Sequence, residues 1–524
     1  MTSYAASGQQ ASIGSWLAGA AERHPQATIR VEGDASTVAD LDAATQRVAT
    51  GFRALGLVPG DRVCVVMPAS RESLQTWFGL AKAGLVEVPL NPGGGSQLLR
   101  YCIEQSGARV VICDAEREAL VRELLRGLGT VRHLVVVGGV PGASAGVNKV
   151  VFDELLAHSA DPGQEVDPAS AAVILYTSGT TGPPKGVLLS HRANVNLARH
   201  TTGLLGYTEA DRLYSVFPLY HSNARYCSVM AAIDVGADLV MHRKFSATRF
   251  WDICREHGIT AFNYQGAMMT ILHKQPVRVD DAQNPVRIGF GAPCPPEIFE
   301  DFERRFGLRL TEIYGSTEVS IVTDMPPARR KVGTAGRESA NYEVAVVDGR
   351  DEPVATGGTG EIVVRPKKPG WMFDGYRGQP EATAVAWRNL WFHTGDRGHL
   401  DADGFLTFVD RVKDSIRRRG ENISSWEIER VIGGHPDIAQ VAAFGVPSTL
   451  SEEEVMVAVV PREGKILDPA ELLEHCEGEL TSFARPRFVR FVSALPMTPS
   501  QRVEKYRLRA EGITQDTWDS EAAL

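Results

Sequence analysis

The stretch YTSGTTGPPKG, from Tyr176 to Gly186, holds the densest set of residues able to grip a polyanion. Thr177, Ser178, Thr180 and Thr181 bring hydroxyls, Gly179 and Gly182 bring unshielded backbone N–H groups, and Lys185 brings a positive charge. Successive N–H groups in such a turn make an anion-binding concavity. Pro183 and Pro184 keep the segment from starting a helix. The phosphate loop G-x-x-x-x-G-K-[ST] does not fit. Counted from Gly179, Pro184 stands where the second glycine belongs and Gly186 where the hydroxyl belongs. The stretch is therefore a Ser/Thr/Gly/Pro linker or a phosphate loop of another design. It follows an apolar run, AAVILY (171–176), which argues for the loop. Ligands of open α/β sheets bind at the carboxyl ends of strands.

The elements that must hold this loop show in the periodicity. Leu41, Ala44, Val48, Phe52 and Leu55 recur at helical spacing, with Gly56 to close the helix. RVCVVM (62–67), VEVPL (86–90), ARVVIC (108–113) and HLVVVG (133–138) are short apolar runs of the kind that buried parallel strands need. Between them, a helix opened by Ser70 buries Leu74, Trp77, Phe78 and Ala81, and another lies near 96–106. This alternation predicts a wound α/β sheet. A second unit follows over about 200–325. EVAVVD (343–348) and GEIVVRP (360–366) predict antiparallel β, and VAAFGV (441–446) and VMVAVVP (455–461) predict strands of a smaller segment. The expected fold is α/β, with a large N-terminal domain, 1–410, of wound subdomains plus a β-rich subdomain. A small mobile α+β domain, 411–524, completes it.

The chain has 524 residues, 43% of them hydrophobic, enough for more than one core. A formal net charge of −9 argues against a nucleic-acid partner, which needs a basic footprint. Cys64, Cys102, Cys113, Cys227, Cys254, Cys294 and Cys476 are scattered with no C-x-x-C pair, which fits reduced thiols, small core hydrophobes and a cytoplasmic setting. The N-terminal residues carry neither the basic region nor the apolar run of a signal peptide. No stretch approaches the ~20 apolar residues of a membrane helix, so no integral membrane segment is expected.

YTSGTTGPPKG resembles the signature loop of the adenylate-forming (acyl-CoA synthetase, AMP-binding) superfamily. FPLYHSNAR (217–225), GFGAPCP (289–295), YGSTE (314–318), WFHTGD (391–396) and DRVKDSIRRRGENIS (410–424) resemble its further motifs and come in the same order. The flavour is that of free-standing acyl- and aryl-CoA ligases. The resemblance implies an Mg2+- and ATP-dependent enzyme that joins a carboxylic acid to AMP, releases pyrophosphate and passes the acyl group to a thiol, with CoA as co-substrate. Thr177, Ser178, Gly179, Thr180, Thr181, Gly182 and Lys185 would hold the β- and γ-phosphates. Thr317 would contact the α-phosphate and Glu318 would hold the metal, as one carboxylate with phosphate oxygens suits Mg2+. Tyr314 with Gly315 offers a face for adenine, and Gly291, Ala292 and Pro293 offer backbone to its edge. Asp396 and Arg411 match the ribose partners. Lys413 matches the hinge where the small domain swings. Tyr220, His221, Asn223, Gly266 and Gly289 would line the acid pocket, His221 as gate, substrate contact or hydrogen-bonded wall. His191, after Ser190 at a helix start, reads as structural. RRRGEN (417–422) is a solvated charge run or a dock for CoA phosphates.

One segment departs from the pattern. Relatives read roughly L-P-x-T-x-x-G-K-[IV]-x-[KR] where this chain has LPMTPSQRVEKYRLR (495–509). Gln501 replaces the glycine and Arg502 the catalytic lysine. A planar guanidinium is not a compact ammonium. Arg502 can take the role, Lys505 can reach in, or the activated group is small, such as nitrite for diazotisation of an aryl amine. The readings beside a CoA ligase are thus an adenylating enzyme with another acceptor or with nitrite, and a nucleotide-binding pseudoenzyme. A homodimer is compatible with each.

Overall fold

The computed structural model describes residues 11–140, 142, 146–177, 184–326, 329–411, 416–418, 421–423, 425–448, 453–477, 479–481, 483–498 and 503–522. Two compact units form. One comprises Met1–Val332, Ser339–Glu343 and Pro366–Trp387; the other comprises Gly333–Glu338, Val344–Arg365 and Arg388–Leu524.

In the first unit, the apolar runs become one sheet. Its strands lie in the order Gly375–Tyr376, Lys185–Ser190, Ala171–Thr177, Val86–Pro89, Arg62–Val66, Val110–Asp114, His133–Val137 and Asn148–Val151. Cys64 and Val66 face one core, with Val88, Val111 and Leu134. Val63 and Val65 face another, with Val110, Ile112 and Val135. Burial on both faces is why these strands read as unbroken apolar runs. The expected helices span Val38–Ala54, Arg71–Lys82 and Ser96–Ser106. Ser70 caps the second by accepting the Ser73 amide. A second sheet runs Arg309–Glu312, Ile288–Ala292, Ala261–Gln265, Arg212–Ser215, Asp238–Met241, Thr28–Val31 and Asp34–Thr37. Its five strands from Arg309–Glu312 through Asp238–Met241 are parallel to one another.

The other unit carries antiparallel strands Gly360–Pro366, Trp391–Leu400 and Leu406–Arg411. It also carries a sheet of Ile438–Pro447, Glu453–Pro461, Phe488–Phe491 and Trp518–Asp519. Val455, Val457 and Val459 face a core with Ile428 and Ile432, while Met456 and Ala458 face another with Leu495 and Leu508. This strict alternation is the period-two signature of a sheet covered on both sides.

Ser190 caps the helix His191–Leu205 by accepting the Ala193 amide. His191 is fully buried and its Nδ1 accepts the Ile13 amide at 3.4 Å. Burial lowers its pKa from 6.5 to about 4. As pH falls, the unfolded chain takes this proton before the folded one does. His191 therefore contributes its full stability above pH 6.5 and loses it as pH falls towards about 4, up to about 3 kcal/mol. His191→Asn, which keeps an acceptor for the Ile13 amide, is expected to flatten the melting temperature across that window. An unchanged acid dependence in thermal melts would refute this.

All seven cysteines are free and buried. Among the described residues, no helix is long and apolar enough to cross a membrane.

Candidate active site

The hydroxyl- and glycine-rich stretch connects the two strands of a β-hairpin. Ala171–Thr177 pairs antiparallel with Lys185–Ser190, with Tyr176 opposite Gly186 and Thr177 opposite Lys185. Thr177 and Lys185 thus flank the mouth of the loop, and the Thr177 hydroxyl donates to the Lys185 carbonyl at 3.4 Å. Ser178, Gly179, Thr180, Thr181 and Gly182 lie outside the described residues. The returning strand was not legible in the sequence, where the prolines masked its start.

Thr317 and Glu318 project from a tight hairpin in which Ser316 pairs with Ser320. Both are half-buried, whereas Val319 is fully buried and anchors the turn. Gly315 is needed here because a Cβ would lie 1.7 Å from the Ser320 carbonyl oxygen. The Glu318 carboxylate accepts the Tyr376 hydroxyl at 3.0 Å on Oε1 and the Ser316 hydroxyl at 2.9 Å on Oε2. The Tyr376 ring also lies under Lys185, whose Nζ is 4.6 Å from the ring centroid. Two neutral hydroxyls hold this half-buried carboxylate, and oxygen donors suit Mg2+. Tyr376 and Ser316 escaped the sequence reading. Tyr376 lies far along the chain from both partners, so no spacing marks it.

Gly291 and Ala292 end the strand Ile288–Ala292, with an exposed Pro293 beyond them. A Cβ on Gly291 would sit 2.1 Å from the Tyr264 carbonyl oxygen. Gly289 lets Leu310 and Phe262 close on the same strand. Tyr314 is buried and donates its amide to the Thr323 hydroxyl at 2.7 Å. On the next strand, opposite Gly291, Glu312 accepts the Cys294 amide at 2.5 Å, and burial pushes its carboxyl up to about 8.

The motif FPLYHSNAR (217–225) runs into a π-helical segment, Asn223–Val229. Such segments recur at functional sites. Asn263, in the strand Ala261–Gln265, donates to Asn223 Oδ1 at 3.0 Å and to the Ser228 hydroxyl at 2.7 Å. The Tyr220 and His221 rings pack at 4.7 Å, and Gly266 opens the helix Gly266–His273. Behind them Arg225, fully buried, pairs with Glu87 at 2.5 Å and lies 3.8 Å from the Trp77 ring centroid. Asn263 was missed because one polar residue in an apolar strand gives no periodic signal.

In the second unit, Asp396 and Arg411 are register partners on adjacent antiparallel strands. Lys413 and Arg502 lie outside the described residues. Lys505 is bound to Glu429 at 2.9 Å and donates to the Ser425 hydroxyl at 2.6 Å, which in turn donates to Asp410 at 2.9 Å. Within RRRGEN, the side chain of Arg418 is described and those of Arg417 and Arg419 are not. Arg418 is buried, pairs with Glu454 at 2.6 Å and donates to the carbonyls of Phe483 and Arg485. It therefore belongs neither to a solvated face nor to a dock for CoA phosphates.

The model of the AMP-binding enzyme family matches residues 17–377, and that of its C-terminal domain matches 427–502. A crotonobetaine/carnitine–CoA ligase from Salmonella paratyphi A is 32% identical over 481 residues, 90% of this chain and 92% of the relative. ATP-bound MatB from Rhodopseudomonas palustris is 26% identical with a TM-score of 0.84, over 96% of this chain and 99% of that one. An anthranilate CoA ligase in complex with anthranoyl-AMP shares the fold at a TM-score of 0.86 and 22% identity, over 98% of each chain. The chain belongs to the AMP-binding enzyme family, among its ATP-dependent, AMP-forming ligases of the acyl-CoA synthetase type.

Proposed function

We propose that the protein activates a small carboxylic acid with ATP and transfers it to CoA, with Lys185, Thr317 and Glu318 as the phosphate and metal contacts. The observation that carries this reading is the joining of Lys185 and Glu318 through one side chain, Tyr376. A polyphosphate needs a cation on one side and a metal-holding carboxylate on the other, and phosphoryl chemistry rewards such positioning. Mg2+, when bound, neutralises phosphate charge. Lys185 and the loop Thr177–Gly182 orient the leaving pyrophosphate. Thr317 contacts the α-phosphate. A substrate carboxylate oxygen attacks the α-phosphorus, the bond to the bridging oxygen breaks, and pyrophosphate leaves with that electron pair. The CoA thiolate then attacks the acyl carbon and releases AMP.

Asp396 and Arg411 serve the ribose, Tyr314 with Gly315, Gly291, Ala292 and Pro293 serve the adenine, and Lys413 is the hinge at the start of the domain 411–524. Tyr220, His221, Asn223, Gly266 and Gly289 border the acid. The hydrogen-bonded Asn223–Asn263–Ser228 group supports an acid with a polar substituent over a plain alkyl chain. The buried thiols support a cytoplasmic setting. ATP–pyrophosphate exchange tests the reading across fatty acids, cinnamates, benzoates, amino acids, betaines such as crotonobetaine, and nitrite. Exchange with a carboxylate together with CoA consumption is expected. Exchange with nitrite alone, or with no CoA dependence, would overturn it.

The lysine question has an expected answer. Lys505 is committed to Glu429 and Ser425, so Arg502 takes the catalytic cation's place. Arg502→Ala is expected to slow single-turnover AMP formation by about 10-fold or more, the scale of one lost charge-assisted contact. Lys505→Ala is expected to lower the melting temperature instead, with a smaller effect on that step. A larger loss of AMP formation in Lys505→Ala would reverse the assignment.

A further inference from the structure

We propose that Tyr376 is a positioning residue that sets the separation of Lys185 and Glu318 before nucleotide and metal arrive. The inference rests on the reading of Glu318 as the metal-holding carboxylate. Its ground is the way one short segment, 373–377, is fastened to both partners. Phe373 donates its amide to the Glu318 carbonyl at 2.9 Å. Asp374 and Arg377 donate theirs to Leu188 and Gly186 at 2.8 Å each, and Tyr376 stands opposite Val187. The segment therefore bridges the backbone of the carboxylate turn and the backbone of the strand that begins with Lys185.

The Tyr376 side chain repeats that bridge at the level of the charged groups. Its hydroxyl donates to Glu318 Oε1, and its ring face meets the Lys185 ammonium. The ring itself is held in place. The Tyr376 amide donates to the Thr383 hydroxyl at 2.9 Å, and that hydroxyl donates to the Gln379 carbonyl at 3.0 Å. Gly375 has φ +129, and a Cβ there would come within 3.2 Å of Thr383. A side chain at 375 would push the tyrosine away from this support.

The phenol hydroxyl is the donor in its bond to Glu318 Oε1. A donor on Oε1 orients the carboxylate and leaves other lone pairs for a metal. Groups that orient a metal ligand in this way commonly govern affinity for the ion. The ring does a second task. A cation over an aromatic face is attracted by its quadrupole, which holds Lys185 on the loop side, away from direct neutralisation by Glu318. Without the ring, the ammonium and the carboxylate are free to collapse into an ion pair, which competes with metal and phosphate at once.

The test measures binding of α,β-methylene-ATP to the full chain by calorimetry, over a series of Mg2+ concentrations, and compares four proteins. Tyr376→Phe keeps the ring and removes the hydroxyl. It is expected to raise the half-saturating Mg2+ concentration by about 10-fold, with nucleotide affinity at saturating Mg2+ within about twofold of wild type. Tyr376→Leu removes the ring as well and is expected to add about a fivefold loss of nucleotide affinity. Glu318→Gln, measured beside them, is expected to raise the Mg2+ requirement at least as far as Tyr376→Phe does. A merely structural tyrosine would lower the melting temperature without separating Mg2+ requirement from nucleotide affinity. If Glu318→Gln shifts the requirement and Tyr376→Phe does not, the role of Tyr376 is overturned while the metal assignment stands. If neither variant shifts it, the metal assignment and the role of Tyr376 fall together.

Discussion

Glu318→Gln slows AMP formation at least about 100-fold at fixed Mg2+, as removal of a metal-holding charge withdraws several kcal/mol of charge stabilisation. The fold should be untouched. The side chain is half-buried, its hydrogen-bond partners among the described residues are neutral hydroxyls, and glutamine is nearly the same shape. Raised Mg2+ or Mn2+ should recover part of the rate, because a weakened site fills at higher concentration. Single-turnover AMP formation, with melting curves as a control on folding, checks this. Wild-type turnover in Glu318→Gln would sink the assignment of the metal to this turn.

Arg225→Ala has the largest expected effect on stability, a loss of about 3–5 kcal/mol. Arg225 is completely buried, Glu87 is nearly so, and the pair is 2.5 Å apart. Burial pushes the Glu87 carboxyl above its usual range, and Arg225 pulls it back. Removal of the arginine leaves Glu87 to desolvation alone and empties the space against Trp77. The double variant Glu87→Gln/Arg225→Met should recover much of the loss, since well-packed neutral groups can replace a buried pair. Urea unfolding of the full chain measures both. If Arg225→Ala costs less than about 1 kcal/mol, below the range for a broken buried pair, the pair does not hold this region together. The loss should also weaken use of the acid. Arg225 lies in the same π-helical segment as Asn223, which meets Asn263.

Sequence and structure agree most closely where one physical rule acts alone. The strands around Arg62–Val66 were legible because both their faces are buried, which turns them into apolar runs. The helix at Arg71–Lys82 was legible because a serine cap precedes a regular apolar stripe. The hydroxyl-rich loop stood out because its hydroxyls, glycines and lysine are neighbours in sequence. Side chains that act through distant partners did not. Arg418 read as part of a charge run or phosphate dock and Lys505 as an alternative catalytic cation, because nothing local shows that Glu454 and Glu429 wait for them. Nothing in the sequence singles out Tyr376. Its meaning depends on two residues brought to it by a hairpin and a two-residue strand. Glu312 is the same kind of case. It reads as an ordinary acid, yet burial raises its carboxyl to about 8.

The buried thiols have a practical consequence. Burial pushes Cys64, Cys102, Cys113 and Cys227 up to about 12, so almost no reactive thiolate exists at neutral pH. An alkylating dye therefore has to wait for the chain to open. Cys64 and Cys113 lie in the sheet that carries the 171–190 hairpin, Cys294 beside the strand Ile288–Ala292, and Cys476 in the C-terminal core. Their separate labelling rates turn the unmodified protein into a set of local clocks. Each one times the breathing of its own layer, with no introduced probe.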